Sequence, residues 1–171
     1  EYITDQELYD KIIKRYENRK NNEKLFFMGI TMQNHGGYTE TYDNFPENYY
    51  KVGRSYTDAN QYLSLVHESD EAVKNLISYF SKVDDPVEII FFGDHQPSLN
   101  SNFYPILNGK GLTGLTEDEL EKLYTVPFFI WTNYDTPEET VDITSLDYLS
   151  TMALERAGIE LPAYNKFLAD M

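Results

Sequence analysis

Two of the three histidines follow directly on apolar runs, in Gln33-Asn34-His35-Gly36-Gly37-Tyr38 and Gly93-Asp94-His95-Gln96-Pro97. A carboxylate oxygen beside a neutral imidazole, as Asp94 and His95 offer, suits Mn²⁺, Zn²⁺ or Fe²⁺. Neighbours in a regular strand point to opposite faces, so this pair converges only if Gly93 and Pro97 frame a turn. The plain alternative is an Asp that caps the loop with a His packed against it, and both readings stay open on the residues alone. Two ligands fall short of a site, so at least two more must come from elsewhere. His35 lies beside two glycines, which let backbone approach a ligand, and its ring can donate to phosphate or sulfate oxygens. Taken alone, a solvated turn histidine is the simpler reading.

The remaining candidates read as structural. His67 has no second histidine at the spacing a helical metal motif needs, so it belongs to a solvated helix face. Asp70 falls between Val66 and Val73 on the expected apolar stripe and reads as partly buried and hydrogen-bonded. Trp131 reads as core. Tyr38, Tyr42, Phe45, Tyr49 and Tyr50 either line a substrate groove or hold their own loop down.

The elements that must position these residues are legible as patterns. Thr4 with Glu7 makes a capping box for a helix over about 5–19, with Leu8, Ile12 and Tyr16 on its apolar face. Leu25 to Met32 is apolar almost throughout, which predicts a strand buried on both faces. No period runs through 33–55, a loop long enough to be functional or mobile. A long amphipathic helix is expected over 57–82, with Tyr62 or Leu63, Val66, Val73, Leu76 or Ile77, and Phe80 buried. Asp84-Asp85-Pro86 breaks it, and a second buried strand follows over 87–92. Residues 97–116 read as irregular, and Thr116 with Glu119 caps a short helix. A third strand covers 126–132, and a last helix runs from 144 or 145 to about 157 with Gly158 at its end. Strands alternating with helices predict an α/β fold with a parallel-type sheet covered by helices.

Composition narrows the function. The chain has 171 residues, enough for a single domain, and no cysteine, which removes disulfides, thiolate metal sites and cysteine nucleophiles. Its 14 basic and 29 acidic residues give a net charge of −15, which repels nucleic acid. No apolar run is long enough to span a bilayer. Glu1 in place of a starting Met reads as a cut or processed chain.

The order of strand, Asn34-His35-Gly36-Gly37, Tyr-rich loop, helix, strand, Gly93-Asp94-His95-Gln96-Pro97 and Val126-Pro127-Phe128-Phe129-Ile130-Trp131 resembles one known family. It is similar to the lipoteichoic acid synthase branch of the sulfatase and alkaline phosphatase superfamily, over about 24–168. The segment Ala157-Gly158-Ile159-Glu160-Leu161-Pro162 is similar to the end of such domains. The resemblance implies the C-terminal half of a sulfatase-like catalytic domain. It implies Asp94 and His95 as ligands of one divalent ion, typically Mn²⁺, and His35 as a contact to the phosphoryl group or its glycerol. The other ligands in that family are an acidic residue and the nucleophilic Thr, and neither has a counterpart in this chain. The implied parent is a membrane-anchored, extracellular phosphoglycerol transferase that moves glycerol phosphate from a lipid donor to a glycan or polymer. The chain alone is then expected to be inactive and to bind Mn²⁺ weakly. A sulfatase or phosphodiesterase of the same superfamily is the nearest alternative, and a module that binds anionic glycans or lipid headgroups without chemistry is the other.

Overall fold

The computed structural model describes residues 3–39, 45 and 56–171, which fall into two compact units. The first gathers the described residues of Glu1–Tyr79 with Asp94–Val126, and the second joins Phe80–Gly93 to Pro127–Met171.

In the first unit, helix α1 spans Asp5–Glu17 and opens on the expected capping box, with Thr4 and Glu7 satisfying each other's backbone N–H groups. Asp5 and Glu7 in its first turn and Lys14 and Arg15 in its last match the helix dipole. A Cβ placed on Gly29 would stand 3.3 Å from Leu8 Cδ2, so the bare glycine lets the following segment lie close against α1.

Helix α2, Thr57–Phe80, buries Leu76 and Phe80 as expected, but over its first two thirds the buried stripe lies one residue away from the expected one. Gln61, Leu65, Ser69, Ala72, Leu76 and Phe80 are buried, at spacings of three and four, while Val66 and Asp70 are exposed. The apolar pattern misplaces the stripe because the middle of this face meets polar partners. Asp70, expected partly buried, is therefore a surface residue. Tyr38, Phe45 and Leu65 form a buried cluster with Tyr62 and Leu99 against it, and the Tyr38 and Tyr62 rings meet edge-on at 5.4 Å. Tyr38 and Phe45 are thus core residues against α2; Tyr42, Tyr49 and Tyr50 lie outside the described residues.

Helix α3 (Tyr104–Asn108) and a 3₁₀ turn (Leu112–Gly114) occupy part of the stretch expected to be irregular. Gly109 closes α3 in the left-handed region at φ +69°. Helix α4, Glu117–Glu121, begins at the expected Thr116–Glu119 capping box.

The second unit carries the sheet found among the described residues. Strands β1 (Glu88–Phe92) and β2 (Phe128–Thr132) pair antiparallel, from Glu88 opposite Thr132 to Phe92 opposite Phe128. The expected parallel pairing is corrected here, and so is the expected burial: no β1 residue is buried, and Ile90 and Phe92 are exposed, because a short apolar run fixes neither the direction of a strand nor what covers its faces. Phe91 and Phe129, directly opposite, stack at 5.3 Å. Asn133 fastens this ladder to the end of α2. Its Nδ2 donates to the carbonyls of Phe80, Val83 and Asp85, and its Oδ1 accepts from Val87 N–H at 2.8 Å.

The first expected strand is the larger correction. Residues 25–32 carry no regular secondary structure, and among the described residues the backbone groups of 25–31 find no hydrogen-bond partner. Phe26 is 89% exposed, Met28 74% and Ile30 71%. A strand needs a neighbouring strand for its N–H and C=O groups, and among the described residues this segment meets the side chains of α1 and no strand.

Helix α5 (Leu146–Arg156) starts at Ser145 and is followed by Gly158 at φ +66°, close to the expected bounds. Helix α6, Ala163–Ala169, was not foreseen; Asn165 ties it to α5 by donating to Thr151 Oγ1 at 2.9 Å.

Candidate functional site

After β1, Gly93 N–H still bonds to the Pro127 carbonyl, and the chain then turns at Asp94 and His95. The turn is held by its own residues. Asp94 Oδ1 accepts from His95 N–H at 2.9 Å, and Gln96 Nε2 donates to the Thr125 carbonyl. Both side chains reach the same solvent-facing side: Asp94 Oδ2 lies 3.6 Å from His95 Nε2, with the side chains 86% and 71% exposed. His95 Nδ1 is 2.9 Å from the Gln96 carbonyl. A carbonyl can only accept, so this contact places a proton on Nδ1, and the neutral form of the ring then carries its lone pair on Nε2. The Asp does cap its loop, as the plainer reading has it, and that cap uses Oδ1 while Oδ2 faces His95 Nε2.

His35 sits in a second turn of the same unit, where its N–H donates to the Met32 carbonyl at 3.1 Å. Its side chain is exposed. Gly37 adopts φ +107°, a conformation that favours glycine, and nothing lies within 4 Å of a Cβ placed on Gly36 or Gly37. A side chain added at either glycine would therefore meet no described neighbour. The residues before it are fixed: Gln33 is buried, Asn34 Nδ2 donates to Ser69 Oγ at 2.9 Å, and the Tyr38 hydroxyl donates to the Asn34 carbonyl at 2.7 Å.

Beneath this turn lies a buried polar cluster that the sequence pattern does not reveal. Ser69 Oγ donates to Asp5 Oδ2 at 2.6 Å and accepts from Gln33 Nε2 at 3.0 Å as well as from Asn34. Gln33 Nε2 also reaches the Leu65 carbonyl, and Gln33 Oε1 accepts from Asp5 N–H at 3.0 Å. Burial pushes the Asp5 carboxyl above its ordinary value, and the Ser69 and Thr31 hydroxyls draw it part of the way back. Burial and the neighbouring Asp5 charge push the Tyr9 phenol up to about 12. Ser69 is the side chain that α2 gives to this cluster, and a lone serine between Leu65 and Ala72 carries no periodic signal that could have found it.

The structure brings Asp94 and His95 together, and it places His35 on a separate turn. Among the described residues, no three His, Asp or Glu side chains cluster tightly enough to hold an ion. His67 is half-buried on α2, and Trp131 is half-buried in β2.

A model of the family described as Sulfatase matches residues 1–159. The chain belongs to the sulfatase family. It is 28% identical over 175 residues to a putative cyclic beta-1,2-glucan modification protein of Rhizobium meliloti, covering 98% of this chain and 27% of that one. It is also 33% identical over 100 residues to the capsular polysaccharide biosynthesis protein RkpI of the same organism, covering 58% of this chain and 17% of that one. Among solved structures, the Streptococcus pyogenes phosphoglycerol transferase GacH, in complex with sn-glycerol-1-phosphate, superposes with a TM-score of 0.73. That match is 20% identical and covers 99% of this chain and 42% of GacH, and it shows that the fold is shared. The chain thus spans about a quarter or less of the curated relatives it matches and under half of the solved one. This sulfatase-family segment holds an α/β arrangement whose described sheet is small and antiparallel. No helix among its described residues is long and apolar enough to cross a membrane.

Proposed function

We propose that this chain is the later part of the catalytic domain of a divalent-metal-dependent phosphoglycerol-type transferase, acting outside the cell from a membrane-anchored parent. The observation that carries the reading is the Asp94–His95 turn. Its two donor atoms, Asp94 Oδ2 and His95 Nε2, face the same solvent, and the Gln96 carbonyl sets the histidine tautomer. An oxygen and an imidazole nitrogen oriented from behind by a carbonyl are a donor set that fits Mn²⁺. It amounts to half a site, and an acidic residue and a nucleophilic Thr outside these 171 residues would complete it.

The phosphoglycerol reading is supported by the fold shared with GacH, a transferase solved with a glycerol phosphate. When bound, the ion would polarise the phosphoryl group and lower the pKa of the attacking hydroxyl. The chain's own residues do the rest. Asp94 and His95 supply an anionic and a neutral ligand, and Gln96 keeps His95 from turning. His35, exposed on its turn, donates to a phosphoryl oxygen as charge gathers on it. The bond from phosphorus to the lipid glycerol breaks and a new one forms, first to the Thr hydroxyl and then to an acceptor hydroxyl. With a net charge of −15, the chain needs a metal to hold an anionic donor. The exposed apolar segment 25–32 supplies a surface where further strands of the complete domain would pair.

The test is Mn²⁺-dependent release of diacylglycerol from phosphatidylglycerol by the complete protein. Asp94→Ala and His95→Ala should abolish the metal dependence, and His35→Ala should lower the rate by about 10²-fold. The 171-residue chain alone should show no turnover. Hydrolysis of sulfate esters in place of transfer would make the protein a sulfatase. Metal-independent glycan binding without turnover would make it a binding module.

A further inference from the structure

We propose that Asp5, Ser69 and Gln33 act together as positioning residues for His35. This rests on the reading of His35 as the group that meets the phosphoryl oxygens. His35 is poorly placed to hold itself: its side chain is exposed, and two glycines follow it. Its position is set by the residues before it, and these are tied to two helices. The Ser69 hydroxyl on α2 is saturated, since it donates to Asp5 at 2.6 Å and accepts from Gln33 at 3.0 Å and Asn34 at 2.9 Å. Gln33 closes the ring by accepting from the backbone N–H of Asp5, the first residue of α1. Asn34 is held by its side chain and by its carbonyl, which accepts from Tyr38.

The cluster is costly as a stability device. Asp5 Oδ1 and Asn34 Oδ1 are both buried with no hydrogen-bond partner among the described residues. A partly satisfied polar network at the meeting of two helices is worse for stability than apolar packing of the same volume. What it supplies in return is a defined direction for the chain as it enters the His35 turn. A histidine held in place loses less freedom when a phosphoryl group arrives, which strengthens binding. The sequence places Asp5, Gln33 and Ser69 in three segments, and the structure joins them directly beneath one candidate site residue.

The test uses NMR on the 171-residue chain, with sn-glycerol-1-phosphate as the probe. Backbone order parameters at His35 and Gly36 should fall from about 0.85 to below about 0.6 in Ser69→Ala, with both helices intact by circular dichroism. Asn34→Ala, which removes only the last link, should do the same and serves if Ser69→Ala does not fold. Asp5→Asn keeps an acceptor for the Ser69 hydroxyl and should retain the order. With Mg²⁺ present as a diamagnetic divalent ion, glycerol phosphate should shift the His35 ring resonances of the parent chain, with affinity at least fivefold weaker in Ser69→Ala and within about twofold in Asp5→Asn. Unchanged order at His35 in a folded Ser69→Ala or Asn34→Ala chain overturns the positioning role. Lost order in those variants, with no response of His35 to glycerol phosphate in the parent chain, keeps the positioning role and overturns the phosphoryl reading instead.

Discussion

The hydroxyl of Ser69 donates to the carboxylate of Asp5 across 2.6 Å, joining residues 64 apart in sequence and coupling α1 to α2 beneath the His35 turn. Both partners are buried, so the bond is shielded from solvent competition.

Stability should report the protonation of Asp5. Burial raises its pKa above 3.8, so the folded chain holds this proton more tightly than the unfolded chain does. The stability it contributes is fully present below about pH 3.8 and is lost as pH rises through the raised value. Glu88, whose carboxyl burial also raises, acts in the same direction. Asp5→Asn cannot ionise, so its urea midpoint should gain on the parent's as pH rises from about 3 to 7. A difference between the two proteins that stays constant over that range would contradict the assignment.

The two glycines after His35 should respond differently to substitution. Gly37→Ala forces a side chain into φ +107° and should cost about 1–3 kcal/mol, although nothing lies near the new methyl group. Gly36→Ala meets open space without that backbone strain and should cost less than about 1 kcal/mol. Chemical denaturation of the pair checks the ordering.

Asn133→Ala should destabilise the second unit by about 1–3 kcal/mol, because the carbonyls of Phe80, Val83 and Asp85 and the Val87 N–H lose their shared partner. Asn133→Asp keeps the acceptor for Val87 and loses the donors, so it should not rescue. Hydrogen exchange of the β1 and β2 amides would localise the loss.

The apolar segment 25–32 should make the isolated chain self-associate. Phe26, Met28 and Ile30 are exposed beside backbone groups with no partner among the described residues, the arrangement that invites strand addition. Replacing Phe26 and Ile30 together by Lys should lower the apparent mass in light scattering while leaving the thermal midpoint almost unchanged. Equal association before and after the change would place the sticky surface elsewhere.

Local signals were the legible part of this fold. Both capping boxes, the span of α2, the break at Asp84-Asp85-Pro86 and the left-handed Gly158 follow from side chains acting on backbone a few residues away. The family was legible because two short motifs recur in a fixed order. Strand direction was not, since Phe91 opposite Phe129 satisfies an apolar pattern in either orientation. Nor was the buried face of α2, where Ser69 and Gln61 sit inside while Val66 and Asp70 face solvent. Periodicity counts apolar residues, and a polar residue buried by a distant partner leaves no mark in it. Gly93 and Pro97 permit a turn that brings Asp94 and His95 side by side without requiring it, and nothing in the sequence marks the Gln96 carbonyl as the partner of the imidazole.

The central claim is that Asp94 and His95 form half of a divalent-metal site, and paramagnetic Mn²⁺ titration followed by NMR tests it most directly. Binding should be weak, because only two protein ligands are present. Resonances of Gly93 to Gln96 should broaden first, and Asp94→Ala or His95→Ala should remove that preference. Broadening that starts instead at acidic surface runs such as Glu117–Glu121, and that neither substitution alters, would contradict the claim.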